Sequence, residues 1–460
     1  MLLLSLLVLR FASAQFQTGE LQVKVTDPSG LALPSSITLA SEASRTERQA
    51  KTNANGQFLF DHLPFGTYRV TVEHPGFAPF SQLVEINSHT PREMRVRLEL
   101  KSASTEVNIS ALATLLDPHR TGVLYSVGKR QVQEEDSTVP GRSVLDLIDM
   151  QPGWLFEGNG VLHPRGSEYQ TLFVVNGVPM EENRSPGFAP TFEASKVSQI
   201  SVMTGNIPAE YGRKLGGVVE IQTAQDMQPG FHGSADFGGG SFGTEEGFFS
   251  GTYGWNRSAL TLSASGEHTN RYLDPPVVGN FTNTATLGGF SASYDIDLTP
   301  SDRLHFSAHR SQARFEVPNE NLQQAAGQRQ DRTTPEDAGQ VAWTHLFSPD
   351  TLLNLRGSVE DLSANLWSNP LSTPIIAAQQ RSFRRSYLNA DVSENKGRHD
   401  LNFGADAIYN PVTEALQYRI TNPSFFDPGT VPGFNFFDHR LDREQALWAQ
   451  DDIRLGNLTL

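Results

Sequence analysis

The chain has 460 residues, with 39 Gly, 27 Pro and no Cys, and 36 Lys plus Arg stand against 51 Asp plus Glu for a net charge of −15. That length suits two to four domains at roughly 100 to 200 residues each. The negative balance argues against a sequence-independent grip on nucleic-acid phosphates, and the lack of Cys excludes disulfide frameworks, thiolate catalysis and Cys-ligated metals.

Leu2 to Leu9 is an apolar run the length of a signal-peptide core, and Ala12-Ser13-Ala14 ahead of Gln15 is a small-x-small cleavage site, so residues 1–14 read as an export signal. No basic residue precedes Leu2 and Arg10 interrupts the run, which places the expected start codon upstream. No other segment approaches the roughly 18 apolar residues of a membrane helix, so any membrane insertion would rest on strands.

Residues 19–100 alternate in short runs. Leu21, Val23 and Val25 precede the turn Asp27-Pro28-Ser29-Gly30, Phe58 and Phe60 follow Asn53-Ala54-Asn55-Gly56, and Tyr68, Val70, Val72 and then Met94, Val96, Leu98, Leu100 continue the pattern. Such alternation between turn clusters predicts a β-sandwich that folds by itself, with Val23, Val25, Phe58, Phe60, Tyr68, Val70 and Leu98 in its core. Val23-Lys24-Val25-Thr26-Asp27, Thr52 to Phe60, Leu63 to Tyr68 and His74-Pro75-Gly76-Phe77 resemble the carboxypeptidase regulatory-like domain, which implies a carbohydrate-binding-like sandwich fold. Residues 101–122 read as a linker. Within it Thr105, Glu106, Val107, Asn108 and Ile109 alternate as one strand without a nearby partner, the pattern either of an ordinary linker or of an edge offered to another chain.

Residues 123–226 change to mixed α/β. Ser143 is placed to cap a short helix over Val144, Leu145, Leu147 and Ile148 that ends at Pro152-Gly153. Leu172 to Val175 and Val178 to Met180 flank Asn176-Gly177, a strong signal for a hairpin with a primed turn. Pro164-Arg165-Gly166-Ser167, Phe173 to Pro179, Val197 to Gly205, and Ala209-Glu210-Tyr211-Gly212 through Gly216-Gly217 to Ile221 resemble, in order and spacing, the plug of TonB-dependent outer-membrane receptors. A regulatory-like sandwich ahead of such a plug resembles the Oar-like branch of that family.

Residues 227–460 alternate with period two in runs of nine to a dozen or so residues, such as Leu260 to Ala264 and Leu401 to Ala407. Short turns are expected at Gly254 to Arg257, Leu298 to Asp302, Ser348 to Asp350, Asn395 to His399 and Arg454 to Asn457. Long loops are expected near Thr269 to Thr284, Glu316 to Ala338, Trp367 to Arg385 and Pro411 to Asp442. This sorting by length is that of a transmembrane barrel. Ten strands are complete by about Ile453 and an eleventh begins at Leu458, against about 22 in plugged transporters. The expectation is therefore a half-barrel, open at the strand near Gly230 and the strand Leu447 to Ile453, with further sequence beyond Leu460. The fold class is mainly β: an N-terminal sandwich, a small α+β plug and a partial antiparallel transmembrane barrel.

Enzyme signatures are weak. Gly238 to Gly243 satisfies G-x-G-x-x-G but is followed by strand rather than helix, and the 12 His are scattered. No catalytic, cofactor or metal residues are assigned. The resemblance implies an outer-membrane transporter that takes a scarce solute from the cell surface and releases it to the periplasm, with TonB of the inner membrane as partner, lipid around the barrel and no nucleic acid. It also implies a TonB box, for which Thr105 to Ile109 is the candidate, with Asn108 departing from the usual pattern. Arg165 is either the plug member of a buried ion pair with the barrel wall or a solvated turn arginine. Gly166, Asn176, Gly177, Tyr211, Gly212, Gly216 and Gly217 are plug motif positions of structural rather than ligand-contacting character. The alternative is an adhesin or glycan binder that uses the sandwich, with the barrel as anchor. The solute and its contact residues are not legible.

Overall fold

A computed structural model describes residues 18–41, 46–64, 66–86, 91–101, 123–128, 131–132, 141, 143–156, 162–167, 171–180, 197–205, 207–213, 216–223, 227, 229–299, 301–348, 350–455 and 458–459. The alternation in the first part becomes β1 (Thr18–Thr26), β2 (Ser36–Ser41), β3 (Thr46–Lys51), β4 (Gln57–Pro64), β5 (Gly66–Glu73), β6 (Phe80–Ile86) and β7 (Arg92–Arg97). They pair as two sheets, β4-β1-β7 and β3-β2-β5-β6. Every second residue points between the sheets, so Leu21, Val23, Val25, Tyr68, Val70 and Val72 are fully buried together. Of the expected core, only Phe58 remains partly exposed, its ring set edge-on to Phe60 at 4.8 Å.

The plug contains β8 (Val123–Gly128), α1 (Ser143–Asp149), β9 (Trp154–Phe156), β10 (Leu162–Pro164), β11 (Thr171–Val175), β12 (Val178–Met180), β13 (Val197–Gly205) and β14 (Gly217–Thr223). Five strands form a mixed sheet in the order β12-β11-β14-β13-β8, with β11 parallel to β14. One face packs on Val144, Leu147 and Ile148 of α1, and the other carries Leu172, Val174, Met203 and Val218. Burial on both faces explains why β11 reads Leu-Phe-Val-Val without a polar interruption. Ser143 opens α1 as its first helical residue rather than preceding it, and Asp146 lies in the first turn as expected.

The remaining strands are β15 (Gly230–Gly240), β16 (Thr244–Trp255), β17 (Ser258–Thr269), β18 (Ala285–Thr299), β19 (Asp302–Glu316), β20 (Gln330–Ser348), β21 (Thr351–Ser368), β22 (Ile375–Lys396), β23 (His399–Ile420), β24 (Gly433–Leu455) and β25 (Leu458–Thr459). They form one antiparallel sheet in chain order, the turns falling where expected. Gly238 to Gly243 is a hairpin end of β15 with a single 3-10 turn, not a phosphate loop. Three long loops are shorter than expected because the strands run on, to 19 residues in β20, 22 in β22 and β23 and 23 in β24. The outer end of β20, Gln330-Asp331-Arg332-Thr333, is polar on both faces, so there the ladder continues where the apolar alternation has stopped. The sheet is open among the described residues: β15 pairs with β16, and β24 with β23 and the two-residue β25, with no pairing between the ends.

Burial in this sheet is inverted relative to a water-soluble protein. Leu388 and Val359 are 64% and 51% exposed on the outer face, while Arg385 and Glu360 are each 3% exposed on the inner one. An apolar band outside and polar groups inside is what hydrocarbon selects in a barrel wall.

Candidate functional site

The inner face of the sheet meets the plug along the β11–β12 hairpin and the segment before β14. Asn176 and Gly177 both have positive φ, 50° and 78°, the geometry of the primed turn expected from their sequence. The Asn176 side chain fixes the hairpin tip to the neighbouring strand: its Oδ1 accepts from the Thr223 N–H at 3.0 Å and its Nδ2 donates to Thr223 Oγ1 at 2.9 Å. The tip thereby offers the bare backbone of Gly177 to the Arg356 side chain of β21. Arg356 in turn donates to Asp391 at 2.6 Å and to Asn389 at 3.1 Å, both on β22.

Two further arginines bridge plug and wall. Arg385 of β22 donates to Glu360 at 2.7 Å and, across the interface, to the carbonyl of Pro179 on β12. Arg213 of the plug reaches Asp406 on β23 and Glu444 on β24 with its guanidinium fork. The Ala209 N–H donates to Gln450 Oε1 at 3.1 Å, and the apolar share of the seat includes Val178 against Tyr387 and Ile408. Because desolvation offsets much of the Coulombic gain of such pairs, a polar seat holds the plug in register at modest net cost to separate, whereas its own apolar core would have to unfold.

Between the plug and the short-turn ends of the strands lies a cavity of about 130 Å³, lined in part by Asn176, Gly177, Glu210, Tyr211, Arg356 and Asp391. Burial, together with the charges of Asp391 and Glu220, pushes the Glu210 carboxyl up to about 8, with Arg356 pulling the other way. Among the described residues no group of three or more His, Asp or Glu side chains is arranged to hold a metal ion.

Of the two readings of Arg165, the geometry matches the turn arginine. It is exposed at a turn with φ of 51° and donates to Thr204 Oγ1 at 3.2 Å, within the plug. It is a turn arginine, and the buried plug-to-wall pair belongs to Arg213, which sequence reading missed because its partners lie 193 and 231 residues away and leave no local signature. Gly166 has φ of 78° with open space where a Cβ would stand, and Gly212 is exposed with equally open space at that position. Gly217 is close-packed, since a Cβ there would stand 3.0 Å from the Trp154 ring; Gly216 is half-buried beside it. Tyr211 packs with Ile207 on the sheet face opposite α1. The segment Thr105, Glu106, Val107, Asn108, Ile109 and the expected signal at 1–14 lie outside the described residues.

A sheet polar on its inner face and apolar on its outer face, with a seated α+β domain, has the architecture of a plugged β-barrel. Comparison with known proteins narrows this. Residues 20–99 match the carboxypeptidase regulatory-like domain. The TonB-dependent transporter Oar of Myxococcus xanthus is 26% identical over 219 residues, covering 46% of this chain and 20% of that protein. The siderophore receptor PiuA from Acinetobacter baumannii superposes with a TM-score of 0.53 at 12% identity, over 73% of this chain and 56% of that one. The ferripyoverdine receptor of the outer membrane of Pseudomonas aeruginosa does so at 0.57 and 12% identity, over 79% and 55%. The chain thus spans about half the length of these structures and a fifth of the curated relative. The fold is that of TonB-dependent outer-membrane receptors, with a carboxypeptidase regulatory-like domain in front.

Proposed function

We propose that the protein is a TonB-dependent transporter that binds a scarce solute at the cell surface and releases it to the periplasm when the plug shifts. The observation that carries this reading is the polar seat: Arg213 of the plug pairs with Asp406 and Glu444 of the wall, Arg385 of the wall donates to the Pro179 carbonyl of the plug, and Arg356 packs against Gly177, contacts that water can replace. An outer membrane has no ion gradient or nucleotide of its own, so the work must come from the inner membrane through a pulled segment. Thr105 to Ile109 is proposed as that segment, adding an edge strand to TonB by backbone hydrogen bonds. The chain next enters the plug at β8, the outermost strand of the plug sheet, bonded on one side to β13. A pull would therefore act first on β8, at the edge of the sheet.

Energised uptake in whole cells tests this, using a panel of iron chelates, oligosaccharides and peptides to find the solute. Val107→Pro, which fixes φ and alters the extended segment, is expected to abolish uptake while surface binding remains. Uptake undiminished by that variant removes the box from 105–109, and surface binding with no energised uptake by the wild type supports the adhesin reading instead.

A further inference from the structure

The cavity beneath the plug has a wall that the transporter reading leaves unused. Besides plug and barrel residues it is lined by Gly19 and Glu20, which belong to β1 of the sandwich. Glu20 stands 3.7 Å from Arg303 at the start of β19, and both side chains are largely buried, at 19% and 22% exposure. Arg303 is oriented by a second carboxylate, Asp297 of β18, at 2.8 Å. It follows the turn at 299–302, so it marks the short-turn end of the sheet, which is the periplasmic end of a barrel. His305, two positions further in, donates through Nδ1 to Asp295 at 2.7 Å, while its Nε2 is buried in the same cavity wall without a hydrogen-bond partner. A second contact is independent of the first: β3, an outer strand of the sandwich, lies beside β8, the outer strand of the plug sheet. Two sheet edges that would otherwise be open thus face one another.

We infer that the sandwich is a removable cover on the periplasmic side of the plug, latched by Glu20 to Arg303 and abutting the plug at β8, so that the cavity is closed while it is docked. This rests on the transporter reading for its purpose: the linker at 101–122 joins sandwich to β8, and a pull on it would act on the latch and on the first plug strand together. The docking itself is separable from transport. Both contacts are an ion pair and an edge, which release without unfolding either domain, and the sandwich keeps its own core on release.

The chain has no Cys, so one introduced thiol reports on the cavity alone. Ser393→Cys is a near-isosteric change at a residue that lines the cavity and is 2% exposed. Its rate of labelling by a small maleimide is measured on the full chain in detergent, with no TonB and no solute. Adding Glu20→Arg, which sets two cations against each other, is expected to speed labelling about tenfold, and the swap Glu20→Arg with Arg303→Glu to return it to the slow rate. Removing residues 18–100 should give the fastest rate of all. Labelling that is equally fast with and without the sandwich overturns the cover, and so does a charge reversal without effect in protein whose sandwich still melts cooperatively. Neither result bears on uptake, so a failure here is distinguishable from a failure of the transporter reading.

Discussion

The Arg356 guanidinium of the barrel wall occupies the space that a side chain on Gly177 of the plug would need: a Cβ built there stands 2.7 Å from Nε and 3.1 Å from Cζ. An arginine tip can ordinarily swing away, but this one is held by Asp391 and Asn389, so making room means breaking those bonds. The plug hairpin and the wall are fitted to one another at a single missing side chain.

Gly177→Ala therefore carries two penalties, the left-handed backbone at φ of 78° and the displacement of Arg356. Gly166 has the same φ with open space around it, so Gly166→Ala carries only the first, about 1 to 2 kcal/mol. The expected result is a clearly larger loss of stability for Gly177→Ala than for Gly166→Ala in chemical unfolding of the full chain. Equal losses would mean that Arg356 yields without cost.

The second prediction concerns Arg213, whose fork spans carboxylates on two adjacent strands. Arg213→Ala leaves the buried Asp406 facing the plug without its cation, a change of the kind that costs about 3 to 5 kcal/mol. Arg213→Lys should rescue little, because a point charge cannot serve both carboxylates at once. Protease cutting of the plug is the readout: faster in both variants, and restored in part when Asp406→Asn relieves the orphaned charge in the Arg213→Ala background.

These residues also mark what the sequence could and could not disclose. Alternation and turn chemistry are local, so the sandwich, the Asn176-Gly177 hairpin and the barrel turns were legible from spacing alone. Strand ends were not, because at the outer end of β20 both faces are polar and nothing local marks where pairing stops. The seat was least legible. Arg165 stands in a recognisable motif yet bonds within its own domain, whereas Arg213, which directly follows Tyr211-Gly212, and Arg356 and Arg385, which stand in no motif, acquire partners only when distant strands come together.

Glu210 gives the third prediction, a pH dependence. It belongs to the plug segment between β13 and β14, and its carboxyl is raised from 4.5 to about 8, first by burial and then by Asp391. In the window between those values the folded state holds a proton that the unfolded state has released, so stability falls as pH rises. The contribution is fully present below about 4.5 and is lost as pH passes through about 8. Glu210→Gln, which cannot ionise, should flatten that fall when melting temperature is followed across the window. A slope unchanged in the variant would assign the titration to another group.

Leu388 supports the sharpest test of where the sheet resides. It projects from the outer face of β22, paired with Gly357 and Ala407, and is 64% exposed. Gln417, exposed on the same outer face of the paired strand β23, lies toward the long-loop end beyond the apolar band. In water, Leu388→Arg would be an ordinary surface change worth no more than about 0.5 kcal/mol. In hydrocarbon the same change puts a guanidinium against lipid and costs about 2 to 4 kcal/mol near the bilayer midplane, while Gln417→Arg near the headgroups costs about 1 kcal/mol or less. Urea unfolding from lipid vesicles should therefore separate the two arginines by 2 kcal/mol or so. Equal and small losses at both positions would show that the outer face of β22 meets water, and the inverted burial of the sheet would then need another explanation.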